Sequence, residues 1–333
     1  MIFKNILLIN KSIKIINYYL IILLCLIAMT LIIGCSKTDS ELVEAAKNSN
    51  YEKVQELIDK GVNINDRDES GFTALSYVAL RNDIKMAELL IKNGADLNAK
   101  DDYYTVLINA TRGEGDTEIV RLLIDNGADI NILGKEKVSA LIWAATEEKF
   151  DVAELLIKEG IDININHRIL GTALMRSAYR GNIEITKLLI KNGADVNAKI
   201  NYRGTSYDGL TALIQAIREE HKEIVEILIK NGADVNAANG VFSRVPLMHA
   251  CLKENIEIAK LLIDHGADVN AKDNGGATPI FYTIDNPDLT KIIIESGADL
   301  NIRNNEGETV LMMAKRKGKD EVVEMLEEAG AKE

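Results

Sequence analysis

The chain is poor in the materials from which most active sites are built. Four histidines and three cysteines occur in 333 residues, and aromatic side chains make up 5%. A metal centre or a stacking site therefore has little to draw on, and three cysteines cannot form a disulfide framework. Three prolines exclude a Pro-rich linker. Basic charge is also scarce, with 39 Lys and Arg against 51 Asp and Glu, a formal net charge of −12. Nucleic-acid binding rests on clustered cations that displace counterions, so no nucleic-acid partner is expected. Apolar residues are plentiful at 47%, too many for a disordered acidic tail. Length alone allows two domains or one elongated one.

The first 34 residues differ in kind from the rest. They carry Lys4, Lys11 and Lys14 and no acid, so the remainder holds 36 basic and 51 acidic residues, a net −15. An apolar run from Ile15 to Ile33 ends in Ile32-Ile33-Gly34-Cys35. This order resembles a bacterial lipoprotein signal: a basic start, an apolar segment, then two aliphatics and a small residue before Cys. The resemblance implies cleavage before Cys35 and its lipidation. Each buried acyl methylene contributes about 0.8 kcal/mol to membrane attachment, and two chains make that attachment lasting. The alternative is an uncleaved anchor helix, since about 20 apolar residues span a bilayer and the three lysines hold the front end inside. Both readings place the rest outside the cytoplasm, in the periplasm or at the cell surface. The division expected is 1–34 signal peptide or membrane anchor, 35–40 tether, and 41–333 the folded array. At roughly 3.5 Å per residue, the tether reaches less than about 20 Å.

From residue 41 onward the sequence repeats itself. Gly-Ala-Asp-(aliphatic)-Asn recurs at Gly94, Gly127, Gly193, Gly232, Gly266 and Gly297, with degenerate copies at Gly61 and Gly160 and a truncated one at Gly330. Successive spacings are 33, 33, 33, 33, 39, 34, 31 and 33 residues. A second string holds register with it: Thr73-Ala74-Leu75, Thr105-Val106-Leu107, Ser139-Ala140-Leu141, Thr172-Ala173-Leu174, Thr211-Ala212-Leu213 and Thr309-Val310-Leu311, with proline in Val245-Pro246-Leu247 and Thr278-Pro279-Ile280. Before each Gly lies an amphipathic segment, such as Glu118–Ile124, with apolar residues at helical spacing. Periods of this length mean stacked units that cannot bury their apolar faces alone.

These three blocks resemble the ankyrin repeat, over essentially all of residues 38–333. The resemblance implies an all-α fold, helix-turn-helix units joined by β-hairpin loops, stacked as a curved right-handed α-solenoid of about nine repeats. Thr offers a hydroxyl to the free N–H groups at the first helix start, and Gly ends the second in the left-handed conformation. Asp and Asn suit the turn that follows. The family's His after Thr-Pro-Leu is replaced by Ser76, Ile108, Ile142, Met175, Ile214, Met248, Phe281 and Met312, so apolar contact is expected in place of a His network. Ser40 aligns with the capping Thr. The eighth unit is two residues short near Asn286-Pro287, which predicts a local distortion.

No constellation supports catalysis. His167, His221, His249 and His265 fall at different repeat positions, and Cys251 reads as a buried structural thiol. Asp66–Gly71 imitates a calcium loop, but the acid required at its twelfth position is Tyr77. Gly113-Glu114-Gly115-Asp116 reads as a one-residue insertion between helices. No metal or cofactor is implied.

Recognition is the function implied. In ankyrin folds the hairpin tips and the first helices line a concave groove; matching positions include Tyr103, Lys135, Glu136 and Arg218, and the contacts chosen among them are Phe72, Tyr104, Tyr179, Arg180, Phe242 and Arg244. The sixth hairpin carries about six extra residues, including Tyr202, Arg203, Tyr207 and Asp208. Tyr and Arg are enriched at binding hot spots, so these ten residues are the candidate partner contacts. The expectation is a monomeric, membrane-tethered, non-catalytic scaffold, whose net acidity favours a protein partner with a basic patch. An immunity or inhibitor protein, a host-interaction factor and an unrecognised enzyme are the alternatives.

Overall fold

A computed structural model describes residues 40–333, so the signal and Cys35 lie outside the described residues. The described residues form nine units in register with the sequence repeat, eight of them helical pairs. Unit 1 is α1 (Glu41–Lys47) and α2 (Tyr51–Asp59); unit 2 is α3 (Ala74–Leu80) and α4 (Ile84–Lys92); unit 3 is α5 (Val106–Arg112) and α6 (Thr117–Asp125). Unit 4 is α7 (Ala140–Thr146) and α8 (Phe150–Lys158); unit 5 is α9 (Ala173–Arg180) and α10 (Ile183–Lys191); unit 6 is α11 (Ala212–Arg218) and α12 (Lys222–Lys230). Unit 7 is α13 (Pro246–Leu252) and α14 (Ile256–Asp264); unit 8 has only α15 (Pro287–Glu295); unit 9 is α16 (Val310–Arg316) and α17 (Asp320–Glu328). Among the described residues no strand forms, and the expected hairpins reduce to four isolated bridges, such as Arg67 with Thr73.

Each letter of the repeated string has a structural duty. Gly94 takes φ +87°, which permits the Ala95 N–H to reach Leu90 O at 3.1 Å and the Gly94 N–H to reach Ile91 O at 3.0 Å. That is the Schellman close, and its usual apolar contact is supplied by the buried pair Ala95 and Leu90. The Asp96 carboxylate then accepts the Asn98 N–H at 2.9 Å, fixing the turn. Asn98 Oδ1 accepts the Asp129 N–H of the next unit at 2.8 Å. The same rung joins Asn65 to Asp96, Asn131 to Asp162, Asn164 to Asp195, Asn197 to Asp234, Asn236 to Asp268, Asn270 to Asp299, and Asn301 to Lys332. Asn thus ties neighbours together; reading it as a local turn former captures only half its work.

Thr and Ser cap the first helices as expected, for example Thr73 Oγ1 accepting from Ser76 N at 3.2 Å and Thr211 Oγ1 from Ile214 N at 3.3 Å; such caps contribute about 1 kcal/mol each. Ser40 holds the aligned place, but its side chain makes no cap bond. The position vacated by His is apolar and buried in most units, with Ile108, Ile142, Ile214 and Met248 at 0% exposure.

Unit 8 departs from its neighbours. Eight residues separate Thr278 from the next helix cap, Asn286, where unit 7 has ten between Val245 and Asn255. A seven-residue helix no longer fits, and Pro279–Tyr282 form one 3₁₀ turn instead. That helix rises about 2.0 Å per residue against 1.5 Å, so it covers more of the layer with fewer residues. The Thr278 hydroxyl, left without a helix to cap, is buried and unpartnered.

Candidate functional site

Consecutive first helices pack more closely than consecutive second helices. Alanines with no exposure, among them Ala79, Ala110, Ala144, Ala178, Ala216 and Ala250, permit that approach. The array therefore bends toward the first-helix row, which is its inner face. The first helices of units 2–9, with the 3₁₀ turn of unit 8, contain no Asp or Glu. Every second helix of those units contains at least one. The inner row instead carries Arg112, Arg176, Arg180 and Arg218. None of these four has a carboxylate within ion-pair distance among the described residues, while outer-row Lys187 pairs with Glu184 and Glu223 and Lys222 pairs with Glu257. The net acidity belongs to the outer helices and, in larger part, to the loops between helices, whereas the inner helices are net positive.

Hairpin and helix are locked by a bond that sequence reading missed. Asp68, buried, accepts the Ser70 and Phe72 N–H groups at 3.0 and 2.8 Å, and its other oxygen accepts the Tyr77 hydroxyl at 2.9 Å. Asp101 repeats this with Tyr103, Tyr104 and the Asn109 amide, and Asp273 with Gly275, Ala277 and the Tyr282 hydroxyl. The signal was legible: an acid four or five residues before the cap and a polar donor four after it. In unit 7 the pair is Asn239 Oδ1 and His249 Nε2, 2.7 Å apart. Burial, and then repulsion from Arg218 and Arg244, push the His249 imidazole down to about 4, so it is neutral at ordinary pH. Two residues on, burial pushes the Cys251 thiol up to about 12, which makes it unreactive.

Between units 6 and 7 the inner face opens into a cavity of about 280 Å³ lined by Ser206, Arg218, Asn239, Gly240, Phe242, Arg244, His249, Leu252 and Lys253. Phe242 is 54% exposed and Leu252 44%. Arg244 lies between two rings, 4.8 Å from the Phe242 centroid and 5.1 Å from that of Tyr282. Its Nε is buried and unpartnered, and Arg218 makes no hydrogen bond or ion pair among the described residues. Carboxylates are absent from the lining.

The structure gathers some of the sequence-predicted residues and scatters others. Phe242 and Arg244 share the cavity. Arg203 and Asp208 line an adjoining depression across Asn239 and Gly240. The long sixth loop does not hang free: Ile200 N–H donates to Leu210 O at 2.9 Å at its base, and Asp208 O accepts the Gly240 N–H at 2.6 Å. Within it, Tyr202 is half-buried beneath the Arg168 guanidinium at 4.2 Å, whereas Tyr207 is exposed. Tyr179 is stacked by Arg176 at 4.6 Å, with Arg180 exposed beside it. Phe72 pairs with Tyr77 at 4.6 Å, and Tyr104 packs edge-on to Trp143 at 5.8 Å with Arg112 over its ring. These two are hairpin supports in units 2 and 3, well removed in sequence from the cavity. Ser206, Arg218, Asn239, Gly240, His249, Leu252 and Lys253 are the cavity residues that the ten candidates omitted.

The insertion at Gly113–Gly115 lies between α5 and α6 as expected. The Lys149 ammonium holds it, donating to Gly113 O and Gly115 O at 2.6 Å each. Among the described residues no three His, Cys, Asp or Glu side chains gather as a metal site, and no helix is long and apolar enough to cross a membrane.

A family model described as ankyrin repeats (3 copies) matches residues 22–101, 101–167, 166–239 and 247–332. The first span begins inside the apolar segment read above as a signal. No curated protein matches the chain. With matches over most of its length and nine stacked helical units in one register, the chain belongs to the ankyrin-repeat family.

Proposed function

We propose that this protein is a non-catalytic binding array, held at a membrane outside the cytoplasm through Cys35 or an uncleaved amino-terminal helix, that grips a partner protein along its inner face. Ankyrin repeats generally mediate protein–protein interaction, which supports binding as the class. The observation that carries the choice of face is the inner row itself. It sets exposed Tyr179, Phe242 and Leu252 near Arg176, Arg180, Arg218 and Arg244, none of which has a carboxylate within ion-pair distance among the described residues. Rigid presentation of such side chains is the chemistry of an interface centre.

The test is site-specific photocrosslinking of the full-length protein in intact membranes. A photoreactive residue at Phe242 should capture a discrete partner, and the same residue at Lys187 on the outer row should not. Equal capture from both, or from neither, would remove the inner face from consideration. For the tether, labelled fatty acid should enter the protein and be lost in Cys35→Ala; continued labelling of that variant would discard lipidation at Cys35.

A further inference from the structure

The cavity between units 6 and 7 combines three features found together nowhere else on the inner row. It offers three cationic groups, Arg218, Arg244 and Lys253, two exposed apolar side chains and a buried donor with no acceptor. Arg218 comes from the end of α11 and Arg244 from the seventh hairpin, and both lie close enough to His249 to repel its proton. They line one opening of about 280 Å³. The Phe242 and Tyr282 rings and the Tyr282 hydroxyl hold the Arg244 guanidinium, but among the described residues neither arginine has a carboxylate within ion-pair distance. Arg316, also at the end of an inner helix, is by contrast paired with Glu308 at 2.8 Å. Here the buried Arg244 Nε has no acceptor at all. A buried donor without an acceptor costs about 1–3 kcal/mol, a cost that an incoming anion would remove. Phe242 and Leu252, exposed at the rim, would cover an apolar neighbour of that anion.

We propose that this cavity receives an internal Asp or Glu side chain of the partner protein, lodged between Arg218 and Arg244, with an adjacent apolar side chain of the same segment against Phe242 and Leu252. The inference rests on the binding function proposed above and names the chemistry of the segment bound. Arginine's planar fork suits a carboxylate, donating to it two parallel hydrogen bonds. A long polyanion fits poorly, because the array as a whole carries excess acid and repels extended negative charge brought within a Debye length, about 8–10 Å, of those acids. One or two carboxylates held locally escape that repulsion. The segment recognised is therefore acidic only in part, with apolar residues beside the acid.

The experiment is fluorescence anisotropy with the full-length protein in nonionic detergent and three labelled probes. One is a 12-residue capped peptide with alternating Glu and Leu at its centre, the second has Gln for each Glu, and the third is a single-stranded oligonucleotide of similar length. Binding of the Glu probe should exceed that of the Gln probe about tenfold or more, and Arg218→Gln with Arg244→Gln should remove most of that preference. Arg218→Lys with Arg244→Lys should keep part of it, which separates loss of charge from loss of fold; thermal unfolding of each variant provides the second control. Equal binding of Glu and Gln probes, no binding of either, or tighter binding of the oligonucleotide would overturn the proposal. None of those outcomes touches the crosslinking from Phe242, so the inner-face reading can stand while the carboxylate pocket falls.

Discussion

The inner and outer helix rows of this array share one register, the inner helices mostly seven residues long and the outer ones nine, yet they have opposite surface chemistry. Outer helices read as ordinary amphipathic surfaces, with acids and lysines interleaved in pairs such as Lys222 with Glu257 at 3.0 Å. Inner helices have lost every acid from unit 2 to unit 9 and keep arginines and aromatics instead. Both rows are equally soluble in principle, so solvation does not require the difference. The contrast teaches that net charge describes the face that meets water, and in a curved array it misdescribes the face that meets a partner.

The largest break in the comparison comes from beneath the inner row. Leu213, buried at 1% exposure under α11, should cost about 3 kcal/mol as Leu213→Ala. Because each unit contacts only its neighbours, that loss is local, and it should split urea unfolding by circular dichroism into two transitions. A single undisturbed transition would mean that the units are coupled more strongly than nearest-neighbour stacking allows.

His249 gives the next effect, and its sign follows from its surroundings. Its ordinary value of 6.5 falls to about 4 in the fold, so the unfolded chain takes up a proton first as pH drops. Stability from this site is full above about 6.5, declines through the window down to about 4, and the total is of the order of 3 kcal/mol. Facing the ring are Arg218, Arg244 and the Asn239 oxygen, and none of them welcomes an imidazolium without rearrangement except Asn239. His249→Asn should flatten the dependence of melting temperature on pH in that window relative to the native protein. A parallel slope in both would assign acid sensitivity to carboxylates elsewhere.

Sequence alone carried most of the scaffold and little of the site. Gly, Thr and Asn at fixed intervals are demanded by backbone geometry that few other residues satisfy, so nine units and their register were readable. The shortfall at Asn286 predicted trouble in unit 8, though choosing a 3₁₀ turn needed the spacing between its neighbours. Turn-forming Asn showed its local role but not the rung to the next unit, because that partner lies about 30 residues away. The cavity was less legible still. Arg218, Arg244 and Leu252 converge only when two units stack, and Phe242 and Arg244 were found among ten candidates chosen by residue type. Average charge carried no trace of the division between the two helix rows, because it sums inner helices, outer helices and loops together.

The Asn rungs should show a smaller effect, shared by both rows. Asn197 accepts the Asp234 N–H at 2.8 Å and donates to Gly232 O at 2.8 Å, so Asn197→Ala should cost about 1 kcal/mol in chemical denaturation. The outer and inner rows should respond alike, because the rung belongs to the spine between units. A cost near zero would make the ladder a consequence of stacking and not a contributor to it.

The smallest effect on stability is the sharpest probe of the contrast. Lys187 sits on the outer row, half exposed, 3.6 Å from both Glu184 and Glu223; such exposed pairs contribute about 0–1 kcal/mol. Arg180 sits exposed at the end of an inner helix with no ion pair among the described residues. Lys187→Gln and Arg180→Gln should each leave the melting temperature nearly unchanged, because neither side chain is buried. Their effects on partner capture should differ: none for Lys187→Gln and a measurable loss for Arg180→Gln, read as crosslinking yield from Phe242. If capture falls equally in both, the partner senses the field of the whole array, and the division into a solvated row and a reading row has no functional meaning.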